Sequence, residues 1–183
     1  MIFIYLITLV IILVVFLFSS KTLSPIPYFP SQPVDMPLIV KTLKLKNNQT
    51  VIDLGAGDGI VIFSAAQQSY KQKLGTKFVA VEINPILILI LHLRRLFHPN
   101  KKNIKIVRDD IFKMNFDKLL TFHSSLLTFY LYISPWYLEK TVKNLKLKIK
   151  KFSVVSYMYP LKDKTVFAKV LAVKGKNKIF VYS

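Results

Sequence analysis

At 183 residues the chain has room for one α/β domain with a modest core, and its 52% hydrophobic content is inflated by an apolar N-terminus. It has no cysteine, which excludes disulfides, thiolate metal sites and cysteine nucleophiles, and His92, His98 and His123 lack the spacing of metal ligands. The formal charge of +18 is carried by lysine, with three arginines at 94, 95 and 108, so attraction to an anionic bilayer competes with a plain compositional bias, while bidentate, sequence-specific reading of nucleic-acid bases is disfavoured.

Ile2 to Phe18 is uncharged throughout, about 26 Å of helix at 1.5 Å per residue, against roughly 30 Å of bilayer core. No positive charge precedes this run and no small-residue cleavage site follows it. Residues 1–20 therefore read as an uncleaved transmembrane anchor rather than a signal peptide, and the lysines beyond it place the rest on the cytoplasmic side. Residues 21–33 hold the proline-rich Ser24 to Pro33, which favours a stiff extended spacer; it carries the aromatic pair Tyr28 and Phe29 and the hydroxyl of Ser31. The globular domain, residues 34–183, opens with a helix over Val34 to Leu45, whose apolar residues recur at helical spacing.

Val51 to Ile60, VIDLGAGDGI, then predicts a buried strand, a glycine loop and the start of a helix. Glycines suit a backbone that turns sharply against a ligand. The loop Gly55-Ala56-Gly57-Asp58-Gly59 is not the dinucleotide fingerprint, because Ile60 stands where the third glycine belongs. Asp53 and Asp58 would repel a diphosphate at a helix N-terminus, whereas a nucleoside with an amino group and a sulfonium would find them favourable. S-adenosylmethionine is such a ligand. A second strand, Lys77 to Glu82, ends in an acid at the distance where nucleoside-binding folds place a ribose ligand, and Asn84-Pro85 caps the following apolar helix, Ile86 to Phe97.

With DLGAGDG and VEINP, the chain resembles the class I S-adenosylmethionine-dependent methyltransferases. With PYFPSQP and the apolar N-terminus, it looks more narrowly like the membrane-anchored protein lysine methyltransferases that act on ATP synthase subunit c and the adenine nucleotide translocase. The resemblance spans roughly residues 25 to 160. It implies a Rossmann-like sheet, mostly parallel with an antiparallel closing hairpin. It also implies cofactor contacts from Asp53, Gly55 to Gly59, Glu82, Asn84 and the turn Asp109-Asp110-Ile111, with Asp110 beside the adenine, although Asp109 stands where the pattern has glycine. In that family the proline segment covers the cofactor and substrate entrance. Strands follow at Ile104 to Val107, Ser125 to Ile133 and Phe152 to Tyr157, with a helix over Trp136 to Ile149 and a hairpin from Val166 to Val173 and Ile179 to Tyr182. Too few residues separate strand five from that hairpin for the usual crossover helix.

After strand four, Tyr130 to Trp136 lacks the Asn or Asp and the paired prolines common in enzymes that methylate base amino groups. This weighs against adenine and agrees with a lysine substrate on a membrane protein. A lysine must lose its proton before it attacks, and Tyr28, Phe29, Tyr130 and Tyr132 are the candidates for a dry aromatic wall. The alternatives are a lipid or quinone methyltransferase at the bilayer surface and a non-catalytic cofactor-binding membrane protein.

Overall fold

The computed structural model describes residues 1–19, 28–114, 126–163 and 167–183. Helix α1 (Ile2–Ser19) is apolar along its length, and its described side chains are exposed. At 18 residues it reaches about 27 Å, short of a bilayer core of roughly 30 Å. Where the sequence suggests a spanning anchor, no helix among the described residues is long and apolar enough to cross a membrane. The spacer expected at 21–33 is described only from Tyr28 onward, and the first residues expected for strand four and the hairpin, Ser125 and Val166, lie outside the described residues.

Seven strands form one sheet: β1 (Gln49–Leu54), β2 (Lys77–Glu82), β3 (Ile104–Arg108), β4 (Leu126–Leu131), β5 (Ser153–Tyr157), β6 (Val170–Lys174) and β7 (Lys178–Tyr182), in the order β3-β2-β1-β4-β5-β7-β6. The first five run parallel, and β7 pairs antiparallel with both β5 and β6. Among the described residues between Tyr157 and Val170 there is no helix, as the short spacing predicts.

Central strands covered on both faces must be apolar on both, and period-two alternation sorts them. Val51, Phe78, Ala80 and Tyr130 face one layer, made by α2 (Met36–Thr42), α3 (Ile60–Lys71) and α4 (Pro85–Phe97) through Ile39, Ile62, Ala65 and Leu91. Ile52, Val79, Val81 and Phe129 face the other, where α5 (Pro135–Lys148) contributes Leu138, Val142 and Leu145.

Two helices take their bounds for local reasons. The first opens as a 3-10 turn, Pro33–Asp35, because Asp35 points inward to the β6–β7 turn; α2 then stops at Thr42, and Lys44 follows in a left-handed conformation. Helix α3 runs on to Lys71, since the next left-handed residue is Lys73. Strand order reverses at β1, which has β2 on one side and β4 on the other, so a crevice opens beyond their C-terminal ends.

Candidate active site

That crevice collects the loop after β1, the acid ending β2, the turn after β3 and the segment after β4. It is a narrow cleft lined by Gly55, Gly57, Glu82, Asp109, Asp110 and Tyr132. The loop holds its shape because Gly55 and Ala56 both donate to the Val81 carbonyl, at 3.0 and 2.9 Å, and because Gly55, Gly57 and Gly59 all have positive φ. At Gly57 a Cβ would lie 2.5 Å from the Tyr28 ring, and at Gly59 it would run into Leu91 and Phe63. The first glycine lets the strap over the cleft approach; the second lets α3 and α4 close against each other.

Glu82 is buried and its carboxylate is pinned by the loop it faces. Gly57 N donates to Oε2 at 2.8 Å, and Ile83 N and Asn84 N donate to Oε1 at 2.8 and 2.9 Å. A carboxylate has about four lone-pair sites, so the three bonds it accepts among the described residues leave capacity for one more donor, and Glu82 lines the cleft. Asp109 and Asp110 line it too, along with Ile111. Each acid accepts a local backbone N–H: Asp110 N reaches Asp109 Oδ1 at 2.8 Å, and Phe112 N reaches Asp110 Oδ1 at 2.9 Å.

Asp53, at the end of β1, is buried; desolvation first, then the negative Glu82 and Asp58, push its carboxyl well above the ordinary range. Asp58 faces away from this group. Its Oδ1 accepts from Ile60 N at the head of α3, and Arg94 Nη1 binds both its Oδ2 and its carbonyl at 2.8 Å. Asn84 is also committed elsewhere: its Oδ1 accepts from Ile86 N at 2.9 Å and Leu87 N at 3.4 Å, which caps α4.

The strap Tyr28 to Ser31 crosses this end of the sheet. Burial, then Asp58, to which its hydroxyl is hydrogen-bonded, push Tyr28 up to about 12. Phe29 is exposed at the rim. Tyr130 lies beneath the strap, fully buried, with its hydroxyl 2.8 Å from Ser31 Oγ, so it anchors the strap rather than facing the mouth. Tyr132 reaches the cleft, packed edge-on against Tyr157 at 4.9 Å between ring centroids.

Of the residues expected from sequence, the fold thus brings together the loop, Glu82, Asp109 to Ile111, Tyr28, Phe29 and Tyr132, while Asn84 and Tyr130 serve the frame. Sequence reasoning missed Arg94, Phe112 and Ile83. Arg94 carried a signal, being one of three arginines among 27 basic residues.

The residues present fit S-adenosylmethionine. A loop with no space for a Cβ at Gly57 or Gly59 abuts the Glu82 carboxylate, and Glu82, Asp109 and Asp110 gather acidic groups along one cleft.

Comparison with known proteins bears on the substrate. Residues 30–172 match the family model described as "Ribosomal RNA adenine dimethylase". A protein of Methanosphaera stadtmanae described as "Probable ribosomal RNA small subunit methyltransferase A" is 28% identical over 81 residues; the match takes in 44% of this chain and 27% of that protein, so this chain spans little more than a quarter of its relative's length. Among solved structures, an RNA methyltransferase from Salinibacter ruber in complex with S-adenosyl-L-homocysteine superposes with TM-score 0.63 at 17% identity, covering 84% of this chain and 92% of that one. A precorrin-6y C5,15-methyltransferase from Geobacter metallireducens follows at TM-score 0.57 and 15% identity, covering 84% and 91%. At such identities the superpositions establish the fold alone.

The family match and the curated relative overturn two expectations, a membrane-protein substrate and the absence of a nucleic-acid partner. The error in the second has a physical source. Scarce arginine argues against bidentate readout of bases in a duplex groove, but lysine serves equally well where phosphates are the contact.

Proposed function

The chain belongs to the ribosomal RNA adenine dimethylase family and is a class I S-adenosylmethionine-dependent methyltransferase, and from that premise we propose that it methylates the exocyclic amino group of an adenine in RNA. The family match over residues 30–172 carries this reading.

When bound, S-adenosylmethionine supplies a methyl group on a positively charged sulfur. The chain's own residues bind, orient and dry. Glu82 accepts from a sugar hydroxyl, Asp109 and Asp110 face the nucleoside's base edge, and Asp53 and the Arg94-paired Asp58 lie beside the glycine loop. Tyr28, Phe29, Phe112 and Tyr132 form flat walls suited to a planar base. A base amine is neutral at physiological pH, so the site needs no general base before attack, in contrast to a lysine. Holding the nitrogen in line with the sulfur–methyl bond is the larger part of the task. The new nitrogen–carbon bond forms as the sulfur–carbon bond breaks, and the amine proton then leaves to solvent. Where enzymes of this chemistry commonly place Asn or Asp, this chain has Tyr132 to Trp136. The hydroxyl of Tyr132, which lines the cleft, is the polar group offered to the amine, and exposed Trp136 gives a stacking surface a few residues on.

The test is transfer of labelled methyl from cofactor to total RNA, protein and lipid in parallel, followed by nucleoside mass spectrometry. Methylated adenosine is expected; label confined to protein or lipid would overturn the reading.

A proposal about location rests on α1 separately. Its exposed apolar length supports attachment of the chain to a membrane, with the catalytic domain on the cytoplasmic side. Full-length chain left in the soluble fraction after cell lysis would remove that proposal.

A further inference from the structure

A second hollow, larger than the cofactor cleft, lies on the helix layer that covers one face of the sheet. It is an open groove of about 1120 Å³ between α2 and α3, with Arg94 and His98 at the end of α4 on its lining. Lys41, Lys44, Lys46, Lys71 and Arg94 stand along it, and no acidic side chain lines it. Met36, Val40, Leu45 and Phe63 give it apolar lining between those cations. By composition these lysines are part of a general excess; the fold gathers them around one concavity.

We infer that this groove holds a single-stranded segment of the RNA substrate, with phosphates on the lysines and base faces over the apolar lining. The inference rests on the RNA reading above and adds where the strand lies. Three observations select this occupant. Cations without acids fit a polyanion. A flat bilayer does not enter a concave groove, whereas a flexible strand does. An apolar lining between cations fits a polymer that alternates flat faces with charges.

The groove is also joined to the cofactor loop. Arg94 lines it, lies 5.1 Å over the Phe63 ring and binds Asp58 in the loop at 2.8 Å. A strand in the groove would run along about 12 Å of α3 from Phe63 to Lys71, starting next to the loop that grips the methyl donor.

The experiment uses the full chain and a labelled single-stranded oligoribonucleotide of about 12 nucleotides. The triple variant Lys41→Ala, Lys44→Ala, Lys71→Ala touches no cofactor residue and should retain wild-type affinity for S-adenosylmethionine by calorimetry. Its affinity for the oligonucleotide should fall at least tenfold at about 0.1 M salt, and its log–log salt slope should flatten by about 2, roughly 0.7 for each lost phosphate contact. In the wild-type chain, photocrosslinks from thiouridine-bearing RNA should map to residues 36–46 and 63–72. Wild-type RNA affinity in the triple variant, or crosslinks confined elsewhere, would overturn the groove and leave RNA methylation standing. No affinity of the wild-type chain for RNA would bring down the RNA reading and the groove with it. Displacement of the oligonucleotide from the groove by a polyglutamate peptide or anionic phospholipid vesicles at lower concentration than competitor RNA would also overturn it.

Discussion

Two buried carboxylates in this molecule look alike until their bonds are counted. Asp35 accepts from Tyr157 Oη at 2.7 Å, Lys176 N at 2.7 Å, Asn177 N at 2.9 Å and Asn177 Nδ2 at 3.2 Å. That is four donors on about four lone-pair sites, around a turn whose Gly175 has no space for a Cβ beside it. Among the described residues Glu82 accepts three, also around a glycine turn, and it lines the cleft. A saturated carboxylate is a clasp, here fastening the start of α2 to the β6–β7 hairpin. An unsaturated one at a cavity is a ligand in waiting. Burial and backbone N–H groups are common to both, so neither feature marks a site by itself.

The sharpest way to break this distinction is to exchange the readouts. Asp35→Ala should strand the N–H groups of Lys176 and Asn177 and lower stability by about 3 kcal/mol, on the order of 10 °C in Tm, while cofactor affinity of the folded protein stays within about twofold. Thermal melts and calorimetry on the same preparation would check it, and a hundredfold loss of cofactor affinity would show that the clasp is part of the site. Glu82→Gln should do the reverse, weakening S-adenosylmethionine by about 3 kcal/mol, roughly a hundredfold, with little change in Tm.

Acid titration separates Asp35 from Asp53. Burial pushes the Asp35 carboxyl up, but hydrogen bonds from Tyr157, Asn177 and Lys176 outweigh it and hold the group below its ordinary value. The unfolded chain therefore takes up the proton first, and the clasp's stabilisation, complete above about pH 4, is lost as pH falls through the depressed value; Asp35→Asn should flatten that limb of the stability curve. Asp53 has the opposite sign. Raised by burial, Glu82 and Asp58, it keeps its proton in the folded state after the unfolded chain has released it. Stability should then decline as pH climbs from about 4 toward the raised value, and Asp53→Asn should remove the decline in urea melts across that range.

The smallest expected effect is that of Tyr28→Phe, which removes one partly buried hydroxyl bond to Asp58 and should weaken cofactor binding about threefold. No change would mean that the strap is held by Ser31 and Tyr130 alone.

Much of this site is legible along the chain because its parts are local. Alternation and β-branched residues identify β1 and β2, the glycines announce the loop, and an acid ending the second strand is placed by the length of one βαβ unit. The turn Asp109-Asp110 could be placed by the same logic. What stayed hidden were contacts between segments distant in sequence: Arg94 on Asp58, Ser31 on Tyr130, and Asp35 on a turn more than 140 residues later. Reading Tyr130 as a substrate-facing aromatic followed from its place near a strand end. Its side chain instead falls on the α2–α3 face, under the strap, where burial and the Ser31 hydroxyl claim it.

Substrate class shows the same limit. Composition disfavoured nucleic acid because it counts charges without placing them, and the same lysines, once α2 packs against α3, line one concave surface.

By itself the amino-acid order determined the strand–loop–helix unit, the acid-flanked glycines and hence a cationic nucleoside as ligand, since these follow from short-range sterics and the sign of nearby charges. Only the tertiary structure decided which acids keep a lone pair for that ligand and which are consumed in holding the frame. Hydrogen-bond saturation depends on donors that arrive from anywhere in the chain, and no local pattern of residues encodes their arrival.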